Sequence, residues 1–158
     1  MRLCFVIPSK RSDLSYTPSF LMNWTDLVLQ CAQKGHQVMV SQQNTRAECF
    51  ATSGSETFDA YLCIDPEVVF TPDDVFKLFE SPHDITGAVM MSSNATTLTC
   101  GKRLEELTQT TDPYFEAEAL EPSFVLIRQV PAGWNYVDTI KAHVDVSVRV
   151  GNRVTLNI

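Results

Sequence analysis

An aspartate and a glutamate flank a proline, Asp65-Pro66-Glu67, directly after the apolar run Ala60 to Ile64. Such a run predicts a buried strand of a parallel sheet, and Pro66 must lead the chain out of that sheet. Two carboxylates separated by one residue on an irregular exit can converge on one hard cation. Their oxygens suit Mg2+ or Mn2+. The plainer alternative is a pair of solvated loop acids, one of them capping a neighbour. A second strand points the same way: Leu3 to Ile7 is apolar and closes on Pro8-Ser9. In open α/β sheets, ligands bind beyond the carboxyl ends of the strands. Pro8, Ser9, Asp65 and Glu67 are therefore the first candidates for a site.

The elements that must position them alternate over the first ninety residues. After the first strand, Thr17-Pro18 predicts a helix N-cap with proline at the first helical position. Phe20, Trp24, Leu27 and Cys31 follow at helical spacing and form a core face; Gly35 ends the helix. Gln37 to Ser41 is a short second strand, and Thr45 to Ser53 a weaker helix broken by Gly54-Ser55. The Asp65 strand follows. Thr71-Pro72-Asp73-Asp74 then combines an N-cap, a proline and first-turn acids at the start of a third helix. Asp84 to Met91 is a fourth strand. From Ser92 to Glu121 the pattern weakens, and Thr108 to Pro113 is the most loop-like part. Ser123 to Arg128 is a buried strand and Pro131-Ala132-Gly133-Trp134 a turn. Tyr136 to about Val148 is expected as a helix, although Val144, Val146 and Val148 alternate as in a strand. Arg153 to Asn157 is expected as a closing strand. The alternation predicts a single α/β domain over residues 1–158 with a mostly parallel sheet and right-handed crossovers.

Composition narrows the function classes. The 158 residues are one domain's worth, 44% hydrophobic and 20% charged, as in a globular core. Twelve Lys+Arg against nineteen Asp+Glu give −7 at pH 7, which argues against nucleic-acid binding. A phosphate ligand stays open, because a divalent cation can supply positive charge. No apolar run is long enough to cross a bilayer, and Met1-Arg2 runs into the first strand with no cleavage pattern. Five cysteines at irregular spacing form no disulfide framework or zinc motif. Cys4 and Cys63 are expected as small buried hydrophobes, and a reducing cytoplasm as the compartment.

Residues 59–91, D-A-Y-L-C-I-D-P-E-V-V-F-T-P-D-D together with D-I-T-G before Met91, resemble the central segment of GT-A-fold glycosyltransferases. That family carries an apolar strand, D-x-D, an apolar pair, P-x-D, a short helix and D-I-x-G-G. Upstream, Thr45-Arg46-Ala47 is similar to the family's short Arg-bearing element, and Leu3 to Ser9 to its first strand. Downstream, Ser123 to Arg128 with Pro131 and Trp134 resembles its later strand and Pro-Trp turn. The specific part is 44–91, and 92–122 match poorly. The motif here is Asp-Pro-Glu rather than Asp-x-Asp, and Glu reaches one carbon further.

The resemblance implies a three-layer GT-A-like fold and a metal-dependent glycosyltransferase acting on a nucleotide-diphosphate sugar, UDP-sugars first, with an unidentified acceptor. It implies that Asp65 lies near the ribose and the metal, that Glu67 binds Mn2+ or Mg2+, and that Arg46 serves the diphosphate or holds Asp65. A surface salt bridge is the alternative for Arg46. Pro8 and Ser9 would line the base or ribose pocket, or be a plain strand exit. His143 is similar to a late histidine that completes the metal site in some members; Asp145 or Asp138 would deprotonate the acceptor. The chain is short for this fold, so the acceptor site would need an oligomer or partner subunit. A catalytically inactive nucleotide-sugar-binding or assembly module is the competing function. A phosphoacceptor role for Asp65 is disfavoured, because Pro8-Ser9-Lys10 stands where a receiver domain has acids.

Overall fold

The computed structural model describes residues 1–9, 16–53, 57–91, 112–136 and 138–152. The elements are β1 (Arg2–Pro8), α1 (Pro18–Gln33), β2 (Gln37–Gln43), α2 (Arg46–Ser53), β3 (Ala60–Ile64), β4 (Val68–Val69), α3 (Pro72–Phe79), β5 (Ile85–Met91), β6 (Tyr114–Leu120), β7 (Phe124–Ile127) and β8 (Ile140–Asn152). Local chemistry sets most boundaries. Thr17 Oγ1 accepts the Phe20 amide at 3.0 Å, and Pro18 opens α1. Gly35 follows the helix at φ +82°, a conformation that favours glycine. The Asp74 carboxylate accepts from the Thr71 amide at 2.8 Å and fixes the start of α3.

The strands form one eight-stranded sheet in the order β2-β1-β3-β7-β5-β8-β4, with β6 paired to β8. Two cores lie on its two faces, giving three layers. Leu3, Phe5, Ile7, Leu62, Ile64 and Leu126 pack against Phe20, Leu27 and Cys31 of α1 and Val75 and Leu78 of α3. Cys4, Val6, Cys63, Val125 and Ile127 face the other way, against Cys49 and Phe50 of α2 and against Ala117, Leu120, Ile140, Ala142 and Val144. Cys4 and Cys63 are fully buried, as their runs predicted.

Three expectations are corrected. The sheet is mixed: β1–β2, β1–β3 and β5–β8 are parallel, whereas β3–β7, β5–β7, β4–β8 and β6–β8 are antiparallel. The reason is where β7 enters. The Asp65 amide donates to the Ser123 carbonyl at 2.9 Å, so the chain joins the sheet at the edge where β3 leaves it and runs back between β3 and β5. Next, the described residues between Tyr136 and Val148 hold no helix. Ile140 to Val148 is the first part of β8, because the alternating β-branched valines suit a pleated surface better than a helix. Finally, Tyr114–Leu120 is a strand inside a region expected to be irregular. The predicted closing strand at 153–157 lies outside the described residues, as does most of 108–113.

Candidate functional site

β1 and β3 are parallel neighbours, with Val6 beside Cys63, so Pro8 and Asp65 fall side by side at their carboxyl ends. From there β1 leads through α1 to β2 on one side, and β3 leads through α3 to β5 on the other. The order of connection reverses between these two strands, and in open α/β sheets the ligand crevice is sought outside the carboxyl ends of such a pair. Ser9 stands at its rim, its amide bonded to the Gln43 carbonyl at 2.8 Å.

α2 brings a cation to this crevice. Thr45 Oγ1 accepts the Glu48 amide at 3.1 Å and starts the helix, which sets Arg46 at its first position. The Arg46 side chain is 7% exposed and reaches Asp65, Nη2 to Oδ1 at 3.2 Å. Its Nη1 donates to the Tyr136 carbonyl at 3.0 Å. Tyr136 adopts φ +70°, an uncommon conformation for a residue with a side chain, and stacks on Phe50 of α2 at 4.7 Å. Arg46 Nε is buried without a partner among the described residues. A free donor on a buried guanidinium suits a phosphate oxygen or an ordered water.

Burial pushes the Asp65 carboxyl above the usual carboxylate range. The charge and hydrogen bond of Arg46 pull it back, Glu67 pushes it up and Ser123 pulls it down. Glu67 follows on the exit turn and is half-buried. Among the described residues no group of three or more His, Cys, Asp or Glu is placed to hold a metal. Two carboxylates are fewer than a closed tetrahedral zinc site needs, whereas a cation that keeps water and takes phosphate oxygens, as Mg2+ does, asks the protein for one or two.

The structure thus pairs Arg46 with Asp65, carries Glu67 two residues further on, and sets Pro8 and Ser9 at the end of the neighbouring strand. It does not bring His143 or Asp145 to them. His143 pairs with Thr86 of β5, in the row that reaches Leu62 on β3, three residues before Asp65. Three strands of lateral spacing and three of rise put it roughly 17 Å from Asp65. Its ring stacks on His83 with centroids 3.6 Å apart, beside Glu116, its cross-strand partner. Asp145 is also three strands away. It is 5% exposed, and its Oδ1 accepts from the Ser147 amide at 2.9 Å and the Ser147 hydroxyl at 2.7 Å. Asp138 has an intermediate position. It lies two residues after Tyr136, on the loop that touches Arg46, and its exposed carboxylate accepts from Asn135 Nδ2 at 2.7 Å.

No protein-family model matches this chain, and no curated protein matches its sequence. Among solved structures, it is similar to the crystal structure of A197 from STIV. The TM-score is 0.54 at 13% identity, over 95% of this chain and 84% of that one. That likeness shows the fold. Tyr136 contributes through its main-chain carbonyl, which sequence reasoning missed because a carbonyl has no residue type. The Gly133 turn, at φ +78°, was the available signal that the chain reverses there.

Proposed function

We propose that the chain is a small GT-A-type glycosyltransferase that binds a nucleotide-diphosphate sugar, UDP-sugars first, in the crevice between β1 and β3. The observation that carries this reading is the buried Arg46–Asp65 pair at the end of β3, with Glu67 two residues beyond it and a free Arg46 Nε donor. Pro8 and Ser9 supply the strand end against which a base or ribose would lie. Arg46 offers fixed charge to a diphosphate, and its donors favour phosphate oxygens geometrically. Asp65 and Glu67 would hold Mn2+ or Mg2+, which supplies charge neutralisation for a departing nucleoside diphosphate. Asp138 is the candidate acid nearest in chain to this cluster, through Tyr136. His143 and Asp145 are dropped from the proposed site by their placement.

The test is isothermal titration of UDP- and GDP-sugars with and without Mn2+. Binding that requires Mn2+ is expected, lost in Glu67→Ala and kept in His143→Ala. Equal, metal-independent binding in Glu67→Ala would sink the reading, as would loss in His143→Ala alone. A second reading, binding without transfer, is favoured by one observation: Asp145 is committed to Ser147. It is separated by incubating the bound nucleotide-sugar and following release of nucleoside diphosphate.

A further inference from the structure

The edge of the sheet next to β1 is built differently from the rest of the surface. β2 is the terminal strand, and its seven residues, Gln37 to Gln43, carry no charge, Pro or Gly. Natural edge strands of this length are ordinarily blunted by charge, proline, bulges or a covering segment. Its hydrogen-bonding sides can be assigned. The Gln37 amide donates to Met1 and the Gln43 carbonyl accepts from Ser9, so odd-numbered residues face β1. Val38, Val40 and Gln42 therefore turn their N–H and C=O groups outward, and no strand pairs with them among the described residues.

Above this edge lies α1, whose sixteen residues carry a single charge, Asp26. Its core face is Phe20, Leu27 and Cys31, while Leu21, Met22 and Leu29 are 48%, 73% and 57% exposed. Leu21 lines a shallow pocket with Val40 of β2, itself 46% exposed. Apolar helix flank and open strand edge thus form one continuous face.

The geometry points to this face as a self-association surface, covered by a second copy of the chain across a two-fold axis. The edge is a template for a partner that supplies a strand, and β2 itself is one. A chain of net charge −7 repels its own copies, and self-association needs a face from which the acids are withdrawn; α1 and β2 contribute one acid to this face. Antiparallel pairing centred on Val40 sets Val40 opposite its own copy and Val38 opposite Gln42, using every outward amide and carbonyl of those residues. α1 and β2 are each about 24 Å long, and together about 20 Å across. The face then covers on the order of 500 Å² per protomer, at the low end for specific interfaces. A reversible dimer of micromolar affinity is the expected consequence.

Sedimentation velocity on the full chain, from about 1 to 300 μM, tests it, together with amide hydrogen exchange at low and high concentration. A monomer–dimer equilibrium is expected, with protection of the Val38, Val40 and Gln42 amides rising with concentration. Val40→Lys sets like charges directly opposite each other, and Leu29→Glu adds charge to the helix flank. Each should weaken the dimer at least ten-fold, with the melting temperature of the dilute protein unchanged. A monomer throughout the range overturns the inference. So does a dimer indifferent to both variants, and so does edge protection that is already complete at low concentration, since a segment of the same chain would then cover β2.

Discussion

Replacing Arg46 by Met tests whether the ion pair is the keystone of the crevice. The variant keeps an unbranched apolar stem and removes the guanidinium. Asp65, only 22% exposed, then loses its partner at 3.2 Å, and the Tyr136 carbonyl loses a donor at 3.0 Å. A hydrogen bond to a charged group contributes roughly 1.5–3 kcal/mol, and a neutral one about 1 kcal/mol. Two effects offset part of this. The unpartnered Nε disappears with the side chain, and Asp65 can escape its desolvation by taking a proton. A loss of about 2–3 kcal/mol at pH 7.5 is expected, a fall of roughly 5–10 °C in melting temperature for a chain of this size. Asp65→Asn in the same background should recover about 1–2 kcal/mol of it, because the stranded charge is gone.

The pH dependence follows from the direction of the Asp65 shift. Its folded pKa is raised above the ordinary 3.8, so between those values the folded state holds the extra proton. Stability therefore falls as pH rises through that window, and the burden is relieved as pH drops toward 3.8. Arg46→Met removes the strongest influence holding the carboxyl down, so its relief begins at a higher pH. The deficit against the unmodified chain should narrow on going from pH 7.5 toward 5, and the narrowing should vanish with Asp65→Asn. Urea denaturation of the four proteins at several pH values measures both. A deficit under about 0.5 kcal/mol, or one equally large with Asp65→Asn and flat with pH, would refute the reasoning.

Two further outcomes concern the scaffold. Arg128 donates to the carbonyls of Phe79, Ser81 and His83 at 2.7–2.8 Å, tying the end of α3 to β7; Arg128→Met should cost about 3 kcal/mol in urea denaturation, while Arg128→Lys recovers only part, since an ammonium cannot span all three. Asp145→Asn and Ser147→Ala should each cost about 1 kcal/mol and together no more than the larger, because they break one turn; additive losses would show the two residues acting apart.

The sequence was most legible where folding uses local signals. The Thr17-Pro18 cap, the Gly35 stop, the Ala60–Ile64 strand and the Thr71–Asp74 box each rest on neighbours within four residues, and each is seen in the structure. Strand direction is not a local property. The apolar run at Phe124–Ile127 reads the same in either orientation, and only its entry beside Asp65 makes it antiparallel. At the end of β3, the positions of Asp65 and Glu67 were legible because a proline-broken strand end confines them. Their partner Arg46 was named from a resemblance, and the Tyr136 carbonyl from nothing at all.

β8 shows why His143 and Asp145 were misplaced. Ala142 and Val144 serve the core on the α2 face, but Val148 and Val150 serve the core on the α1 face. A regular strand keeps its even residues on one side. Here Asp145 pairs with Ala88 and Arg149 with Val89, so Val146, Ser147 and Val148 are inserted between consecutive rungs of β5. An odd insertion reverses the side to which every later residue points. The run of alternating valines from Val144 to Val150 hides that reversal, because the same residue type suits both cores. Asp145 is the residue that starts the insertion, and its carboxylate holds the Ser147 amide and hydroxyl to shape it. Its burial and its partners are thus accounted for by the bulge. His143, two residues earlier and before the reversal, is committed to His83 and Glu116. Both residues are occupied by the architecture of one strand, which leaves the acids of the β3 exit, with Arg46, as the groups of the proposed site.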